Sequence, residues 1–183
     1  MDSIDRSQSM RRVRIRYELA RLRRALLAVA PFVLVVAVAL RLTHRPSSTL
    51  WFGGLTVAIS TAMLWYGRDW QRAVLPGAVA GLFPLALSLF ANGVHGCGAG
   101  SCSSLCVPAC SLGGIVAGVA IAGVANRRRA GVWFWLSASG IALLTGSMGC
   151  ACIGSTGVVG LAVGFAAGAM PGLVRWAFGR RAT

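Results

Sequence analysis

The sequence predicts an all-α polytopic membrane protein, a six-transmembrane-helix bundle with both termini in the cytoplasm. Three observations carry that prediction. Of 183 residues, 56% are hydrophobic and only 12% charged, about half the charged share of a soluble domain, and the mean hydropathy is +0.72. Six apolar runs approach the roughly 17–25 residues that cross a bilayer. All 18 basic residues are arginine, set against 4 acids, and they fall between the runs or, for Arg41, at the very end of one. A chain this apolar cannot cover a soluble core with polar surface, so a soluble globular enzyme is excluded. A net charge of +14 would suggest nucleic acid in a soluble protein. Here it marks water-exposed edges, and no direct nucleic-acid partner is expected.

Residues 1–24 read as a basic cytoplasmic segment. Ile15, Leu19, Leu22 and Leu26 follow the i, i+4, i+7, i+11 spacing of one helical face. The other faces are mostly arginine, including Arg11, Arg12, Arg14 and Arg16. This predicts an amphipathic helix running into the first span. It would either anchor on anionic headgroups or dock a cytosolic partner with an acidic surface. The membrane domain then covers residues 25–174, with spans at about 25–42, 49–66, 73–94, 106–126, 131–149 and 156–174. A basic tail, 175–183, follows. The first span resembles a signal peptide, but its basic flank is long and five spans follow, so it is read as uncleaved. Pro108 is expected in the first turn of the fourth span, where its missing N–H costs nothing.

The arginines orient these spans. Eight precede the first span; Arg68 and Arg72 follow the second, Arg127, Arg128 and Arg129 the fourth, and Arg175, Arg180 and Arg181 the sixth. Only Arg41 and Arg45 fall on the other side. The positive-inside rule therefore places both termini in the cytoplasm of an inner-membrane protein. Gly160, Gly164, Gly168 and Gly172 recur every four residues on span six, with Gly77 and Gly81 on span three and Gly114 and Gly118 on span four. Such small-residue faces let helices approach closely in lipid. The six tryptophans, Trp51, Trp65, Trp70, Trp133, Trp135 and Trp176, are expected as an interfacial belt. Oligomeric state is open.

All six cysteines fall on the side opposite the arginines. Cys97, Cys102, Cys106 and Cys110 lie in or beside the loop joining spans three and four, and Cys150 and Cys152 join spans five and six. Cys102, Cys106 and Cys110 are four apart and would share one helical face. Gly96-Cys97 and Gly149-Cys150 occupy matching places after spans three and five, which suggests a weak internal duplication. His95, beside Cys97, could add an imidazole ligand. Three readings stay open: three disulfides outside the cytoplasm, a soft-metal site for Zn(II), Cu(I) or similar ions, and a thiol-reactive sensor. No catalytic motif and no intramembrane carboxylate is present, so enzymatic activity is not expected.

The layout resembles the NrsF-type membrane anti-sigma factors of bacteria. The stretch Gly67-Arg68-Asp69-Trp70-Gln71-Arg72-Ala73-Val74-Leu75-Pro76 looks like that family's turn into its third span. Cys97, Cys110 and Cys150 sit where the family tends to carry cysteines. The chain departs from the pattern in Cys102, Cys106 and Cys152, and in Gly149-Cys150 where the family has a His-Cys pair. The resemblance implies a protein that holds an extracytoplasmic-function sigma factor at the inner membrane and releases it under heavy-metal or oxidative stress. The leading expectation is thus a thiol, soft-metal or redox stress sensor. The alternatives are a soft-metal transport protein using the same cysteines, with Met63, Met148 and Met170 near its path, and a disulfide-stapled structural subunit.

Overall fold

The computed structural model describes residues 2–42, 46–66, 70–95, 103–150 and 154–179. These form six α-helices: α1 (Asp2–Leu42), α2 (Pro46–Tyr66), α3 (Gln71–His95), α4 (Ser103–Arg127), α5 (Val132–Cys150) and α6 (Ser155–Gly179). No strand occurs among the described residues, and each of the six helices is long and apolar enough to cross a membrane. The basic segment runs into the first span as expected, and one boundary differs, the start of α4. The basic segment and the first span are one helix of 41 residues, about 60 Å at 1.5 Å per residue, twice a hydrocarbon core of about 30 Å. Helix α4 starts at Ser103, because the serine pair favours a helix start over a continued loop. Pro108 therefore lies beyond the first turn.

The helices pack as two matched hairpins, α3–α4 and α5–α6, laid side by side. Helix α3 runs parallel to α5: a Cβ at Gly77 would lie 2.7 Å from the Ala138 carbonyl oxygen, and one at Gly81 2.7 Å from Thr145 Cβ. Helix α4 runs parallel to α6 through an even closer seam. Gly114 and Gly118 face the backbone of Leu161 and Phe165, while Gly164 and Gly168 face the backbone of Ser111 and Ile115. Gly160 lies against Ser111 and Val107, and Gly172 against Ala122. Without side chains to separate them, the backbones touch, and van der Waals contact replaces the hydrophobic force that lipid does not supply. The hairpins meet at Pro84, which Gly113 of α4 and Gly146 of α5 enclose from two sides.

Small and large residues interlock in the centre, where Ala117, Ile121, Ala138 and Phe165 are buried together. Trp135 belongs to this core rather than to an interfacial belt, because its position on α5 turns it toward α4 and α6; Gly172 makes room for its ring. Helix α5 is the most enclosed of the six. Helices α1 and α2 flank the four-helix unit, with Phe32 and Met63 against Val74, Ala78 and Ile141, and Gly53 between Val36 and Met148. Large side chains such as Leu34, Trp51, Leu75, Phe90 and Val163 are exposed around the bundle, forming the apolar surface that lipid contact requires.

Candidate functional site

The cysteine end is built by the joint between the hairpins. Cys110 lies in the second turn of α4 and Cys150 ends α5. Parallel pairing of α3 with α5, and of α4 with α6, brings these two points together. Their Cα atoms are 6.2 Å apart and the thiols meet as a disulfide across 40 positions of sequence. Both residues are wholly buried, packed on Leu161 with Leu143 beside them. A bond here ties one hairpin to the other and is closed to reagents in solution. Cys106 lies one helical turn before Cys110 and His95 ends α3; the surroundings of those two side chains, and Cys97, Cys102 and Cys152 altogether, lie outside the described residues. Among the described residues no three His, Cys, Asp or Glu gather as a metal site.

Most hydroxyls in the bundle interior are bonded within their own helices, whereas Ser60 Oγ and Trp135 Nε1 are buried with no hydrogen-bond partner among the described residues. The hydroxyls of Thr56, Ser137, Thr145 and Ser147 donate to carbonyls four residues back on their own helices, at 2.7–2.8 Å. Ser88 donates to the carbonyl three residues back, Leu85 O, at 2.8 Å. This satisfies each hydroxyl locally and turns it away from neighbouring helices. The three methionines of a conceivable ion path are not aligned: Met148 is buried, Met63 packs on α3 and α5, and Met170 is exposed.

The arginine end is set by the α4–α5 turn. The Arg129 N–H donates to Asn126 O at 3.3 Å and the Ala130 N–H to Ala125 O at 2.9 Å, the bond pair of a Schellman helix end. Arg129 occupies the left-handed position of that motif, at φ 48°, where glycine is usual. Trp176 of α6 donates through Nε1 to Ala130 O at 2.8 Å, fixing the turn to the last helix. Trp70 and Trp133 stack with centroids 5.2 Å apart, joining the starts of α3 and α5. Sequence reasoning saw these tryptophans and arginines only as edge markers. The three-arginine run after Asn126, a turn too short to be a loop, was the available signal.

The N-terminal half of α1 emerges at this arginine end. Arg14, Ile15, Arg16 and Leu19 are exposed and Leu22 is half-buried; Arg11 and Arg12 lie on the same helix, their side chains outside the described set. Ile15, Leu19 and Leu26 are 49%, 58% and 53% exposed, so this apolar stripe is not consumed by the bundle. Arg14 pairs with Glu18 at 3.6 Å on the solvent face.

Fold and surface together define a class, a multi-pass helical protein with membrane-spanning-capable helices and an apolar, lipid-ready surface. Comparison with protein-family models, curated proteins and solved structures finds no match to this chain.

Proposed function

We propose that this chain is an inner-membrane thiol or soft-metal stress sensor, acting in the manner of the NrsF-type anti-sigma factors it resembles. The observation that carries the reading is the buried Cys110–Cys150 pair. It joins the two hairpins at one end and leaves Cys97, Cys102, Cys106 and Cys152 as the remaining thiols, all in or beside the same two joints. A disulfide belongs to an oxidising compartment, which supports reading this end as the outer one. The arginine count assigns the same sidedness independently. On that assignment the exposed Ile15–Leu19 stripe extends into the cytoplasm, where a sigma factor would be held. Oxidation or metal capture at the outer thiols would shift one hairpin against the other, and the shift would reach α1 through α2 and α5. Locally bonded hydroxyls and closed glycine seams favour a sensor over an ion conduit.

Full-length protein in lipid nanodiscs, treated with a thiol oxidant or with Zn(II), tests this by hydrogen exchange of residues 2–24. The expected result is altered protection of that segment, abolished when Cys97, Cys102, Cys106 and Cys152 are replaced by serine. Unchanged protection contradicts it. A second reading, a disulfide-stapled structural subunit, is favoured by the complete burial of Cys110 and Cys150. Three reductant-resistant disulfides would establish that reading instead.

A further inference from the structure

At the arginine end a cavity of about 580 Å³ is lined by Arg72, Arg128, Arg129, Ala130, Gly131 and Phe134. We propose that it binds the phosphate group of an anionic phospholipid. Three features converge on a phosphate. Guanidinium groups come from two separate segments, the start of α3 and the α4–α5 turn, and a planar fork of N–H donors suits phosphate oxygens. Helices α3 and α5 run parallel, so both begin at this cavity. At the start of α5 the Phe134 and Trp135 N–H groups already donate to Gly131 O, so what the two helix starts add is their macrodipoles, both presenting positive ends to one anion. Arg129 holds a left-handed backbone at φ 48°, a conformation in which glycine would be less strained. The chain keeps a cation at a position where stability alone selects glycine.

The acids do not cancel this charge. Of the four in the chain, Asp2, Asp5, Glu18 and Asp69, Glu18 pairs with Arg14 on α1. Asp69, outside the described residues, is near Arg72 in sequence and can offset only one of three positive charges. Depth selects the source of the phosphate. Trp70 stacked on Trp133, and Trp176 bonded to the lining residue Ala130, place beside these lining residues the side chain that settles at headgroup level. Basic pockets between transmembrane helices at this depth are suited to anionic headgroups.

The test uses the full chain purified in mild detergent, with native mass spectrometry counting lipid retained from vesicles of phosphatidylcholine with or without phosphatidylglycerol. One phosphatidylglycerol is expected to remain on the protein, with affinity falling about fivefold for each of Arg72→Gln and Arg128→Gln. Arg129→Gly should weaken binding by a similar factor while raising thermal stability, which separates loss of the site from loss of the fold. Arg23→Gln and Arg175→Gln, outside the cavity, should retain the lipid. Inorganic phosphate bound without lipid, and lost in the same cavity variants, would keep the phosphate site but assign its ligand to solution. Equal loss in cavity and control variants, or no preference for phosphatidylglycerol over phosphatidylcholine, would overturn the proposal.

Discussion

The two ends of the bundle are held together by different physics. At the cysteine end a buried covalent bond joins α4 to α5, packed under Leu161. At the arginine end α4 passes into α5 through a tight turn, Trp176 of α6 bonds that turn, and Trp70 before α3 stacks on Trp133 of α5, around an open and positive cavity. One end is closed and cross-linked; the other is open and charged, on the side from which residues 14–20 of α1 are exposed. The difference teaches where motion is permitted. If the hairpins rearrange while the disulfide is intact, the displacement is expected to be largest at the opposite, arginine end.

Between the ends, the glycine seams hold one hairpin against the other, so breaking them has the largest expected effect. Gly164→Leu places a side chain against the Ser111 backbone, which cannot move aside as a flexible side chain would. A loss of about 3 kcal/mol or more is expected, read as failure to resist thermal unfolding in detergent. Next comes the cysteine end. Replacing Cys110 or Cys150 by alanine removes a cross-link spanning 40 positions and should cost about 2–4 kcal/mol. The double variant should cost no more than either single one, because each alone already removes the bond.

The arginine end should prove softer. Trp176→Phe deletes the bond to Ala130 O while keeping most of the ring volume, at about 1 kcal/mol. Faster hydrogen exchange at residues 128–131 would accompany it, with none near Cys110. The smallest effect is a control on the seams themselves. A Cβ at Gly123 meets nothing within 4 Å, so Gly123→Ala should stabilise α4 by up to about 1 kcal/mol through helix propensity. A destabilised Gly123→Ala variant would mean that a second surface, such as another copy of the chain, covers that face.

Much of the fold was legible because membrane helices are read from length and hydropathy alone. Six apolar runs give six helices, and the four-residue glycine spacing on α6 identifies a face made for close approach. Which helix that face meets was not legible. Parallel pairing of α3 with α5 and α4 with α6 depends on how two hairpins lie together, and the matching Gly-Cys positions gave only a hint of it. The cysteines show the same limit. Their shared side follows from counting spans, but fifteen pairings are formally possible for six thiols, and the choice of Cys110 with Cys150 needs three-dimensional proximity. Trp135 misled for a related reason: tryptophan near a span end is read as interfacial unless its face of the helix is known. Arg72 and the Arg128–Arg129 pair, 56 positions apart in sequence, become one site only through the parallel starts of α3 and α5.

The most direct test of the contrast between the ends is cysteine mapping in native membranes. Intact protein is alkylated without reduction, then treated with a hydrophilic reductant and a second label, and the cysteines are assigned by peptide mass spectrometry. The account predicts a Cys110–Cys150 linkage that survives the reductant, with Cys97, Cys102, Cys106 and Cys152 taking the first label, and failing to take it when soft metal or oxidant is added beforehand. Label on Cys110 or Cys150 before unfolding, or a linkage of either to a different cysteine, would contradict it.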